Sequence, residues 1–221
     1  MLRPVPELRP AEWLRDAPSD IDWRDVGAGL IGVVTGPGFS METAGQELID
    51  RHTSTGQLHV VARPAAAATG VQATRLFTAR QQDVVRKAIG HCPARRDLVH
   101  GLELGSPAHH VTGWLAATAA LLELDGHLCR LFGDTPVYFP ASVDSLLVFP
   151  HNVDLRRGYA WAAQRWKRSA ERVSPLAFVR EGDRLALFTP AGSRPDYRAH
   201  VEACALATGE VLYPTFWAYA H

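Results

Sequence analysis

Lysine is nearly missing from this chain: only Lys87 and Lys167 stand among 23 basic residues, the rest being arginine. With alanine abundant, that bias reflects a GC-rich bacterial genome more than a function. Cysteine is scarce too. Cys92, Cys129 and Cys204 are odd in number, far apart and form no CxxC pair, which excludes a zinc knuckle, a thioredoxin-type site and a disulfide scaffold. Net charge is absent, since 23 Lys+Arg balance 23 Asp+Glu, and this argues against a protein built mainly to coat nucleic acid or an anionic membrane. No apolar run approaches the roughly 20 residues that cross a bilayer. The opening MLRPVPELRPAEWLRD sets prolines and acids where a signal peptide needs a continuous apolar core. The reading is a cytoplasmic protein with reduced, buried cysteines and no membrane partner.

What is present is globular. The chain has 221 residues, 47% of them hydrophobic. A chain of this size buries about 70% of its unfolded surface and needs neither metal nor disulfide to fold. Residues 1–28 are rich in proline and acid and lack a period, so they read as an arm against the body, anchored by Trp13 and Trp23. Residues 29–35 (GLIGVVT) have strand length and composition, and Ser40 is an N-cap for a helix with Met41, Ala44, Leu48 and Ile49 on one face. Strands over 57–63 and 71–78, a helix over 79–91 and a strand over 98–104 complete a βαββαβ order across 29–104. That order is ferredoxin-like.

A second α+β half follows. Ser106-Pro107 opens a helix whose buried stripe is Val111, Trp114, Leu115, Thr118, Leu121 and Leu122, with Gly126 as its stop. Strands are expected at 127–132, 137–139 and 145–149. A helix capped by Asn152 or Asp154 runs to Arg172, a hairpin turns at Glu181-Gly182-Asp183, a helix spans 196–208 and a strand 211–219. The fold class is α+β, with a mixed or antiparallel sheet and helices packed on it. Residues 29–221 form one body, with 29–104 and 105–221 as two lobes.

Enzyme signatures are wanting. Gly36-Pro37-Gly38 joins a strand to a helix, but GPGFSMETAG fits neither GxGxxG nor GxxxxGK[ST], and proline removes a backbone donor. There is no GxSxG, and Cys92 beside His91 has the context of a structural thiol. His100, Glu103, His109 and His110 tempt one towards a metal or a pocket. Strand alternation sends His100 and Glu103 to opposite faces, and His109 and His110 are adjacent on a helix rather than four apart. No metal and no cofactor are expected, and no catalytic residue is assigned.

Charge patterning is the positive feature. Residues 97–153 hold six acids and one base, whereas 154–172 hold six bases and two acids. On a helix, Leu155, Tyr159, Ala162, Trp166 and Val173 form the apolar stripe, and Arg157, Trp161, Arg165, Arg168 and Arg172 gather on another face. Arginine with tryptophan is the composition of an interface anchor. The preferred function is therefore a non-catalytic binding or accessory protein acting through protein–protein contacts, with self-association through the acidic region as one form of it. An enzyme of small-molecule or hydrolytic type with a site near His100–His110 is one alternative. A nucleic-acid binder using the Arg157–Arg172 face is the other. The C-terminal YPTFWAYAH reads as an edge strand or a docked tail.

Overall fold

A computed structural model describes residues 6–35, 39–55, 59–62, 74–75, 101–105 and 110–209. The expected helix over 79–91, His100, His109 and the expected strand over 211–219 lie outside the described residues. The class is α+β. Strands β1 (Glu7–Pro10), β2 (Ile21–Gly27) and β3 (Leu30–Thr35) form an antiparallel sheet in the order β1-β3-β2. The stretch expected to lie as an arm is thus built into a sheet, with a 3-10 turn over Ala11–Asp16 between its strands. Leu8 and Val26 are fully buried in the core, and the backbone ladders with β3 hold the rest. Trp23, expected as an anchor, is 50% exposed.

Helix α1 (Met41–Thr55) starts where the sequence places it, with Ser40 Oγ accepting the Thr43 backbone N–H at 3.2 Å. Beyond it, β4 (His59–Ala62), β5 (Thr74–Arg75), β6 (Leu102–Gly105), β7 (Pro136–Ser142), β8 (Ser145–Pro150), β9 (Phe178–Glu181) and β10 (Arg184–Leu187) make a second antiparallel sheet. Its order is β10-β9-β7-β8-β6-β4-β5. The ferredoxin-like order is not confirmed. It requires β3 to share a sheet with β4, β5 and β6, and β3 instead pairs with β1 and β2. Linear order carries no partner information, and the two strands inside the supposed arm were the competing partners.

The strong helical signal after Ser106 is realised as two helices, α2 (Gly113–Ala116) and α3 (Thr118–Phe132), broken at an extended Ala117. Gly126 does not stop α3, and residues 127–132, expected as a strand, are its last turns. The apolar spacing explains this: Leu121, Leu124 and Leu128 continue one fully buried stripe, which outweighs the roughly 1 kcal/mol that an internal glycine costs. Gly133, in the left-handed region at φ 68°, is the real C-cap, its N–H donating to Cys129 O. Trp114, Leu115 and Leu121 are wholly inaccessible, as the stripe predicts, while Leu122 is 45% exposed.

Helices α4 (Arg156–Arg168) and α5 (Tyr197–Thr208) complete the elements among the described residues. The larger sheet is covered on both faces. Leu102, Leu104, Val148, Tyr138 and Phe178 face the core shared with α1, α2 and α3. Leu147, Phe139 and Phe149 face Leu155, Tyr159 and Ala162 of the α4 segment. The hairpin at Gly182 (φ 64°) and the helix end at Gly209 (φ 72°) are where the sequence puts them. No helix among the described residues is long and apolar enough to cross a membrane.

Candidate binding face on helix α4

The α4 segment is held by a buried carboxylate. Asp196 is fully buried, accepts the Leu155 N–H at 3.2 Å, and is gripped by Arg194 through Nε at 3.0 Å and Nη2 at 2.7 Å. Asp154 adds an exposed clasp on Arg156, at 3.0 Å to its N–H and 2.7 Å to its Nε, and the side-chain bond lowers the Asp154 pKa. The helix ends at Arg168 rather than at Arg172. Ser169 turns extended, and the Arg172 guanidinium folds back onto the carbonyls of Ser169 (3.2 Å) and Lys167 (3.4 Å). Those are the unpaired carbonyls of a helix end, which cationic side chains favour.

At about 100° per residue, α4 divides into three sectors. Gly158, Tyr159 and Ala162 face the sheet and are buried. Arg156, Ala160, Ala163 and Lys167 border a groove of about 530 Å3 shared with Arg198 and Leu206 of α5. Arg157, Trp161, Arg165 and Arg168 form the third sector, a ridge. Arg157, Arg165 and Arg168 are exposed, and among the described residues no carboxylate is within ion-pair distance of Arg157, Lys167 or Arg168.

Trp161 departs from expectation. It is half-buried and packs against the core cluster beneath α4, not clear of it. Gly158 is the reason. A Cβ there would lie 2.8 Å from Phe139 ring carbons and 2.9 Å from Phe149, so helix and sheet are in close contact at this position. Glycine has no side chain to mark a face, so the buried sector is wider than the apolar stripe suggests, and Trp161, one turn on, falls at its margin. Its Arg165 neighbour lies over the indole, 5.9 Å from guanidinium carbon to ring centroid, and donates to Glu103 Oε1 at 3.3 Å. Arg172 stacks likewise on half-buried Trp166 at 4.7 Å. Such stacked arginines hold their charge in a fixed place at the surface.

Of the histidine-rich candidates only Glu103 and His110 are among the described residues, and these two have separate partners. Glu103 is 8% exposed on β6 and meets Arg165, whereas His110 contacts Asp144 and Glu7. The acidic region of 97–153 is also less acidic at the surface than its count implies, because Glu103 and Asp125 are buried. Sequence reasoning missed the groove cations Arg156 and Arg198, and no periodicity within one helix could have paired α4 with α5.

Comparison of the chain with protein-family models, with curated proteins and with solved structures finds no match. Geometry alone must carry the function.

One further cluster lies behind the groove. Tyr159 Oη and His200 Nδ1 are 3.2 Å apart, and His200 Nε2 is 3.6 Å from Cys204 Sγ. Burial lowers the His200 pKa and raises that of Cys204, so the pair is a neutral imidazole beside a neutral thiol, the wrong state for a nucleophile. A histidine with a depressed pKa binds fewer protons folded than unfolded, so stability is intact above the ordinary 6.5 and falls as pH drops through it. Urea denaturation at a series of pH values should show this loss, and His200→Asn should flatten it.

Proposed function

We propose that this is a non-catalytic binding or accessory protein of a bacterial cytoplasm, and that its α4 face docks an acidic partner protein. The observation carrying this reading is the ridge of Arg157, Arg165 and Arg168 around half-buried Trp161, with two of the three arginines lacking any carboxylate counterpart among the described residues. The adjoining groove favours a protein over a nucleic acid. Its walls include Ala160, Ala163 and Leu206, which suit inserted apolar side chains, with Lys167 at the rim to meet an acidic one, whereas Arg156 and Arg198 are held by Asp154 and Glu202. Arginine and tryptophan at the centre of such a surface are the side chains that dominate binding energy.

The test is capture from a lysate of the producing cells, comparing wild type with Arg157→Glu/Arg168→Glu. Both substituted residues are exposed, so the fold should be unchanged. Proteins retained by wild type, lost by the variant and indifferent to nuclease treatment support the reading. Retention abolished by nuclease would replace it with nucleic-acid binding, whose affinity falls steeply with salt. Identical capture by both proteins would refute it.

A further inference from the structure

A second cluster of side chains lies apart from the ridge, where four separate segments meet. We propose that His110, Asp144 and Glu171 bind a divalent transition-metal cation, with Glu7 set behind the imidazole. One ligand atom from each of the three lies within 4.8 Å of the others. Ligands held about 2.0–2.2 Å from one ion lie no more than about 4.4 Å apart, so small side-chain adjustments close the three onto a cation.

The backbone brings these residues together without the ion. Asp144 sits in the β7–β8 turn, whose Val143 carbonyl accepts both the N–H (3.2 Å) and the hydroxyl (2.9 Å) of Thr112. The Val143 N–H donates to the Glu171 carbonyl at 3.2 Å. On the other side, a Cβ on Gly113 would fall 2.1 Å from the Pro6 carbonyl oxygen, so this segment runs backbone against backbone beside Glu7. A site fixed by such contacts loses little entropy on loading.

The imidazole separates this cluster from an ordinary group of surface acids. His110 Nδ1 is 2.6 Å from Asp144 Oδ1, and Nε2 is 3.2 Å from Glu7 Oε1. A cation at Nδ1 would take the place of the proton shared there with Asp144, leaving the Nε2–H to donate to Glu7. Metal-bound histidines are oriented in this way. Charge fits as well. Arg9 bridges Glu7 (2.5 Å) and Glu171 Oε1 (3.0 Å), offsetting one of three carboxylates and leaving two for a divalent ion. Glu7 and Arg9 are shielded, whereas Asp144 is 66% exposed and gives the ion and its water ligands a way in. One nitrogen with two carboxylates suits zinc, manganese or ferrous iron better than calcium or magnesium. The inference departs from the expectation of no metal, because His110 draws its partners from distant segments and not from the histidine-rich run around it.

Calorimetric titration of the chelator-treated full chain with zinc chloride and with manganese chloride tests it. We expect one ion per chain with a Kd of about 10 µM or tighter for at least one of the two metals. Asp144→Asn and His110→Ala should each weaken binding tenfold or more, and Glu7→Ala by about 10–100-fold, the usual effect of removing a carboxylate behind a ligating histidine. Glu123→Ala, an exposed acid on α3, should change nothing, and circular dichroism reports whether each variant is folded. Cobalt added to the wild type should give a visible absorption band that His110→Ala removes. Failure of either metal to bind at about 100 µM would overturn the proposal, as would binding that Asp144→Asn and His110→Ala leave intact.

Discussion

Asp125→Ala should destabilise the fold by about 3–5 kcal/mol, because a buried hydroxyl loses its acceptor and a charge-assisted bond to a partly buried arginine is lost as well. Asp125 sits on α3 at 2% exposure and is the meeting point of three elements. It accepts the hydroxyl of fully buried Tyr138 at 2.9 Å and the Arg180 Nε–H at 2.7 Å, with the Cys129 thiol at 3.6 Å. Burial, with Asp125 beside it, pushes the Tyr138 hydroxyl well above its ordinary pKa, so it is a pure donor here. Removing the carboxylate strands that donor in the core and leaves the 31%-exposed Arg180 guanidinium with its bond to the Gly182 carbonyl at 2.6 Å. Tyr138→Phe leaves Asp125 paired with Arg180 and should cost only about 0.5–1.5 kcal/mol. Chemical denaturation of the two variants side by side checks both values. Near-equal losses would mean that the ion pair contributes nothing beyond the hydroxyl.

Leu121→Ala is the second large effect, about 2–5 kcal/mol from lost burial and the cavity left behind. Leu121 is fully buried in α3, on the stripe continued by Leu124 and Leu128, and packs in the core shared by both sheets. Leu122→Ala, its half-exposed neighbour, should shift stability by no more than about 0.5 kcal/mol. A denaturation difference below about 0.5 kcal/mol between Leu121→Ala and wild type would mean that the face of α3 is misassigned.

Local signals were legible in the sequence. Ser40 opens α1, the Leu121 stripe is buried, Gly182 turns a hairpin and Gly209 ends α5, because each depends on neighbours within a few residues. Partnership between elements was not legible. Nothing local in LIGVVT distinguishes pairing with β1 and β2 from pairing with β4, and Leu8 and Val26 are too few to show a period. At the α4 face the arginines were legible from their spacing. Trp161 was misjudged because Gly158, which has no side chain to count, widens the buried sector. The His110 cluster was invisible for a different reason: Glu7, Asp144 and Glu171 lie far from it in the chain and meet it only through the backbone contacts of Thr112, Val143 and Gly113.

The central claim is that α4 is a docking face, and it is tested most directly by equilibrium binding of the captured partner to wild type, Arg165→Ala and Trp161→Ala. Each substitution should weaken binding by more than about 1 kcal/mol, while circular dichroism shows the fold retained. The loss for wild type between low and high salt should be mild, as expected for a protein interface. Affinities for Arg165→Ala and Trp161→Ala equal to that of wild type would contradict the account, because the partner would then be seated elsewhere on the molecule.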